Sequence, residues 1–193
     1  MASQPDRALP DRQYRDARNL AARFSLHRRF STNRYPFHRW VFDHLAFPAH
    51  ARVLELGCGI GALRSANPDR TRTEWNITLS DFSFGMLCEA RRNLKSVGDF
   101  HFQQIDAGAI PYRDRTFDAV IANQTLHHVR DLGHTLRPIR RELKAGATLY
   151  TITVGATHMR RLKEIARRFV DPPPMVAAEQ FGLESGLVPL RQP

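Results

Sequence analysis

Five short apolar runs, each the length of one strand, constrain this chain more than any other feature. They read "RVLEL" from Arg52, "TEWNITLS" from Thr73, "FHFQQI" from Phe100, "FDAVIAN" from Phe117 and "ATLYTITV" from Ala147. Helical stretches lie between them: a short one over Ala62–Ala66 that Pro68 cuts off, then Phe84–Lys95, then Leu132–Leu143. Upstream, Tyr14, Ala17, Ala21 and Phe24 recur on one side of a helix predicted over residues 11–30, and a second helix covers Phe37–Phe47 until Pro48 ends it. Strands alternating with helices predict an α/β chain whose parallel sheet is covered on both faces. In such a doubly wound sheet, ligands sit at the carboxyl ends of the strands, where the strand order reverses. A last helix is expected over Thr157–Phe169, followed by the stiff "DPPP" at Asp171. The pattern divides the chain into an N-terminal helical segment (1–48), a core (49–170) and a tail (171–193) with no convincing strand.

Composition narrows the function classes. At 193 residues and 42% hydrophobic, the chain suits one domain that buries roughly two-thirds of its surface on folding. No apolar run reaches the ~18 residues that cross a bilayer, and "MASQPDRALPDRQYRDARNL" holds no apolar signal-peptide core. Two cysteines, Cys58 and Cys88, make neither a disulfide framework nor a metal cluster. The expectation is a cytoplasmic protein with no metal and no membrane partner. The net charge of +10 is concentrated at the start: residues 1–40 hold nine arginines against Asp6, Asp11 and Asp16. Such a segment can steer phosphates or acidic substrates, or simply form a solvated helix face. An RNA partner is the nucleic-acid form of the first reading.

Between the first strand and its helix stands the loop "LGCGIGAL", with Gly57, Gly59 and Gly61. Glycine there permits positive φ and lets backbone approach a ligand closely. Gly57, Gly59 and Ala62 satisfy the dinucleotide pattern G-x-G-x-x-G/A, and Asp81 lies where a nicotinamide enzyme keeps its ribose-binding acid. Three more residues tilt the balance. Glu55 precedes the loop by two positions, Asp106 follows the third strand and Asn123 ends the fourth. Polar groups on successive strand ends suit a ligand with an amine, a ribose and an adenine. They suit a pyrophosphate poorly, since no cation is placed in the loop. S-adenosylmethionine (SAM) fits that description, whereas a nicotinamide cofactor leaves Glu55 and Asp106 without a role. Structural alternatives stand beside each: a buried salt bridge for Glu55, a helix N-cap for Asp81 and a turn for Asp106.

The order "VLELGCGIG", "LSDFSFGML", "DAGAIPYRDRTFDAVIANQTLHHVRD", "LKAGATLYTITVG" resembles class I SAM-dependent methyltransferases, in the branch that includes quinone-biosynthesis and natural-product enzymes. The resemblance runs from about Ala51 to Phe169. It implies a Rossmann-like sheet and roles for individual residues. Glu55, Gly57 and Gly59 would hold the methionine portion, with Gly61 keeping the turn open. Asp81 would accept both ribose hydroxyls, and Met86 would pack near the nucleoside. Asp106 would accept from the adenine amino group, with the Ala107 N–H aimed at a ring nitrogen, and Asn123 would line the methionine side.

Methyl transfer is a displacement that needs alignment, plus a base when the acceptor must lose a proton. His127, His128 and His158 are the candidate bases, at the right end of the sheet. Adjacent histidines on a helix point apart, so at most one of His127 and His128 is expected to face the site. Tyr14, Phe30 and Tyr35 would form a lid over a small-molecule acceptor, as such segments do in this family. The family's sheet has seven strands ordered 3-2-1-4-5-7-6, and only five are found here. The fifth then becomes an edge that invites a second copy or a partner chain. That shortfall keeps a second function open, a catalytically impaired binding or auxiliary protein completed by its partner. A further departure is "LKAGA", with Ala147 where the family has glycine.

Overall fold

A computed structural model describes residues 18–129, 131–155, 157–158, 160–166, 168, 181–183, 185–186 and 190. Helices α1 (Arg18–Phe30) and α2 (Phe37–Asp43) precede the sheet. Then follow β1 (Arg52–Leu56), α3 (Ala62–Ser65), β2 (Asn76–Asp81), α4 (Phe84–Asn93), β3 (His101–Gln104) and β4 (Phe117–Asn123). A 3-10 turn (Leu126–His128) leads to α5 (Leu132–Glu142), β5 (Leu143–Ile152) and α6 (Arg160–Ala166). The expected part of the first helix before residue 18, including Tyr14 and Ala17, lies outside the described residues, as do the "DPPP" break and most of the tail.

All four strand pairings are parallel, in the order β3-β2-β1-β4-β5. The central strands read as continuous apolar runs because both faces are buried. Val53, Ile77, Leu79, Ala119 and Ile121 face one core, closed by α2, α3 and α4 through Phe42, Leu63 and Leu87. Leu54, Leu56, Val120 and Ala122 face the other, closed by Leu126, Ile139 and Phe181. Each fully buried Leu or Ile stabilises the fold by about 1.5–3 kcal/mol. The order reverses between β1 and β4, which sets the site at the carboxyl end of β1.

Element ends differ from expectation for local reasons. The strand expected from Thr73 begins at Asn76, because Trp75 N–H closes a turn on Arg72 O (3.3 Å) and its indole N–H is anchored on Pro48 O (3.1 Å). Helix α2 stops at Asp43 rather than Phe47, with His44 N–H turned back to Val41 O. The strand expected from Ala147 begins at Leu143. Gly146, at φ 76°, lets it loop out while β4 advances only from Phe117 to Ala119. Between α1 and α2, the ring of Phe24 meets that of His38 edge-on at 5.6 Å. Burial lowers the His38 pKa to about 4, so this packed imidazole is neutral at neutral pH.

Candidate active site

The loop after β1 is held by its own backbone before any ligand is considered. Gly57, Gly59 and Gly61 all take positive φ (67°, 56° and 75°), conformations that a β-carbon strains. Cys58 N–H donates to Ser80 O (2.8 Å), tying the loop to β2, and Gly61 N–H donates to Cys58 O (3.0 Å). A Cβ on Gly57 would overlap the hydroxyl of Thr125, and one on Gly61 would stand 2.7 Å from Leu94 Cδ1. One on Gly59 would stand 3.3 Å from Leu20 Cδ2, so α1 passes directly over the loop.

Asp81, at the end of β2, grips this loop. Its Oδ2 accepts from Gly59 N–H and its Oδ1 from Ser83 N–H, both at 2.9 Å. Burial raises its pKa against the pull of those two donors. The helix N-cap is Ser83, whose Oγ accepts from Met86 N–H at 3.3 Å, so Asp81 is not spent on capping. Ile105 N–H donates to Asp81 O (3.1 Å) and brings Asp106 alongside. Asp106 is exposed, and its Oδ1 accepts from Gly108 N–H (2.8 Å); the turn reading holds for it, with lone pairs left over. Ala107 is half-buried beside it.

Glu55 departs from expectation. Its carboxylate does not open toward solvent: Oε2 accepts from Arg64 Nε at 3.0 Å, with both side chains buried. Burial pushes the Glu55 pKa up and the Arg64 charge pulls it down. The guanidinium also faces the Phe42 ring at 5.9 Å, while Nη1 and Nη2 find no hydrogen-bond partner among the described residues. Arg64 is thus a site-supporting residue that sequence reasoning missed. Its one signal was a cation in the otherwise small and apolar stretch "ALRSA".

At the end of β4, Asn123 Oδ1 is buried and finds no partner among the described residues. Thr125, also missed, donates its hydroxyl to Leu56 O (2.9 Å) and stands 3.1 Å from Asn123 O, clamping the β1 loop to the β4 loop. His127 and His128 sit on the 3-10 turn with ring centroids 4.1 Å apart. Their rings pack together rather than pointing apart. His158 lies on an exposed turn past β5, its N–H on Gly155 O at 3.0 Å. Met86, expected near the nucleoside, is 1% exposed and belongs to the interior. Phe30 and Tyr35, expected over an acceptor, stand in solvent. A separate cleft of about 300 Å³ opens beside the Asp106 turn, between Gly108–Ile110 and the α5 side chains His134, Arg137 and Arg141.

These residues fit a SAM-type ligand. A buried acceptor on Asn123 awaits a donor, and an anchored carboxylate on Asp81 retains lone pairs for hydroxyls. Glycines let backbone approach where β1 ends.

Comparison with known proteins agrees. A family model described as "Methyltransferase domain" matches residues 54–151, half of the chain. The ubiquinone/menaquinone biosynthesis C-methyltransferase UbiE of Xanthomonas oryzae pv. oryzae is 35% identical over 98 residues, 49% of this chain and 39% of that protein. Among solved structures, the complex of the Haloferax volcanii Trm112 methyltransferase activator with a methyltransferase aligns at TM-score 0.61 and 22% identity, over 83% of this chain and 68% of that one. A SAM-dependent methyltransferase from Aquifex aeolicus aligns at TM-score 0.58 and 18% identity, over 73% and 71%. The chain spans well under half the length of the curated relative it matches. On the family match, the sheet order and the loop, this chain belongs to the class I SAM-dependent methyltransferases.

Proposed function

We propose that the chain binds SAM across the carboxyl ends of β1, β2 and β3 and transfers its methyl group to a small-molecule acceptor. The observation that carries this reading is the Asp81 carboxylate, held by Gly59 and Ser83 N–H at the mouth of a loop with three positive-φ glycines. In this reading Gly57 and Gly59, backed by Glu55, hold the methionine portion, and Gly61 keeps the turn open. Asp81 accepts the ribose hydroxyls. Asp106 accepts from the adenine amino group, Ala107 N–H meets a ring nitrogen, and Asn123 Oδ1 takes a donor on the methionine side. When bound, SAM supplies a methyl group activated by its sulfonium.

The chain's own contribution is alignment, worth on the order of 7–11 kcal/mol when reacting atoms are well placed, and a proton acceptor. The imidazole of His127 or His128 takes the proton that the acceptor gives up, with His158 as the third candidate. The activity named for the UbiE relative makes an electron-rich quinol ring the first acceptor class to screen. The setting is cytoplasmic small-molecule biosynthesis, with residues 1–48 as a helical lid, 49–170 as the cofactor-binding core and 171–193 as the tail. The long edge of β5 takes a second copy or a partner chain; the activator complex of a fold relative is the precedent for a partner. Calorimetric titration with S-adenosylhomocysteine, with NAD as control, tests the cofactor reading. Micromolar binding of the first alone supports it, and a folded chain that binds neither overturns it.

A further inference from the structure

Residues 26–37 form an unbroken exposed run, and the flanking helices put apolar side chains into solvent. Leu26 is 43% exposed, Phe30 69%, Tyr35 46%, Phe37 44% and Trp40 47%. Half of the exposed large hydrophobic side chains among the described residues lie between Leu26 and Trp40. Leu26 and Phe30 stand one turn apart on α1, and Phe37 and Trp40 one turn apart on α2, with rings stacked at 6.3 Å. The charge on the same run is one-sided. Arg28, Arg29 and Arg34 are exposed and have no carboxylate partner among the described residues; Arg29 lies over the Phe30 ring at 5.7 Å. The one acid from residue 18 to residue 44 is Asp43, already held by Arg70 at 2.9 Å and by the Tyr35 hydroxyl at 2.8 Å.

Single exposed apolar residues need no explanation, but five between Leu26 and Trp40, set among uncompensated arginines, mark an interaction surface. We propose that this surface docks on an anionic phospholipid bilayer. Leu26, Phe30, Phe37 and Trp40 enter the boundary between headgroups and acyl chains, and Arg28, Arg29 and Arg34 meet the lipid phosphates. Single-stranded nucleic acid is the competing polyanion, and it needs open ring faces for base stacking. Here Phe37 and Trp40 already stack on each other, and Trp40 also packs on His44 at 4.5 Å. Leu26 offers a base nothing. The sequence rules out a long apolar span, and no helix among the described residues is long and apolar enough to cross a membrane. Docking needs no span, so the proposal is compatible with that absence.

Co-sedimentation of the full chain tests the proposal, with vesicles of phosphatidylcholine alone and of phosphatidylcholine mixed with about one-third phosphatidylglycerol. The expected result is binding to the anionic vesicles at least roughly tenfold tighter than to the neutral ones, weakened by salt. Arg28→Gln with Arg29→Gln, and separately Leu26→Ser with Phe30→Ser, should each lower that partition by on the order of tenfold. Unchanged circular dichroism in both variants keeps misfolding from mimicking the loss. Equal affinity for both vesicles, or none for either, overturns the proposal. So does an oligoribonucleotide whose binding depends on these four residues while the vesicles are ignored.

Discussion

Two carboxylates flank the glycine loop, Glu55 buried against a cation and Asp81 half-buried on two backbone N–H groups. Arg64 stands 3.0 Å from Glu55 in the same core, and its charge opposes the burial that raises the Glu55 pKa. Removing one member of a buried pair strands the other, so Arg64→Met should destabilise the fold by about 3–5 kcal/mol in denaturant titration. The sign with pH follows from the Glu55 pKa, which burial raises. A raised carboxyl contributes stability below its unfolded value and loses it as pH rises through the folded one. Without Arg64 the pKa climbs further, so the deficit of the variant should grow as pH rises above the ordinary carboxylate range. Asp81 differs, because its partners are backbone N–H groups and its remaining lone pairs are open to a ligand. Asp81→Ala should weaken S-adenosylhomocysteine binding by ~1.5–3 kcal/mol in calorimetry. The wild-type affinity should fall as acid protonates Asp81, at a higher pH than an exposed aspartate would require. An unchanged affinity in the variant would place the ribose elsewhere.

The loops joining the strands carry the site, and they show which parts of it could be read in advance. Strands β1 and β4 end where the sequence says, since each is an apolar run buried on both faces and closed by a polar or glycine residue. The positions of the loop glycines and of the acids at 81 and 106 were legible for a similar reason: each lies at the carboxyl end of one of the strands β1, β2 and β3. Arg64 and Thr125 were not. Arg64 meets Glu55 only after α3 folds back over β1, and Thr125 reaches Gly57 only because β4 lies beside β1. No local pattern encodes either contact. The Thr125 clamp also explains why residue 57 is glycine, independently of any cofactor. Gly57→Ala should cost about 1–2 kcal/mol from left-handed backbone strain alone, plus the overlap with the Thr125 hydroxyl. A second change, Thr125→Ala, should recover the overlap part but not the strain. A double-mutant cycle by thermal denaturation should therefore return a loss for the double variant smaller than the sum of the single losses, coupling two residues far apart in sequence. Strictly additive losses would separate the two loops.

At the scale of the whole molecule, the five-stranded sheet formed by the described residues has two edges of unequal kind. The β3 edge is four residues long and ends in the polar pair Gln103 and Gln104. The β5 edge is ten residues long and carries Leu149, Tyr150 and Ile152. Its far end is tied down, with Thr153 donating to Phe181 O at 2.6 Å and Leu183 N–H to Val154 O at 3.1 Å. Tyr150 is also held, by a hydrogen bond from its hydroxyl to Ala46 O at 2.8 Å, so the strand is rigidly presented. A rigid, long strand edge is a template for a further strand. The relevant opposing force is the net charge of +10, which repels like copies until salt screens it. Backbone pairing is screened far less, so association along β5 should strengthen with ionic strength, opposite in sign to docking on an anionic surface. Light scattering of the full chain should give a dimer whose fraction rises with salt. Thr148→Lys, at an exposed position on that strand, should shift it to monomer without altering S-adenosylhomocysteine binding. A monomer at every salt concentration would mean that the β5 edge is not used between copies.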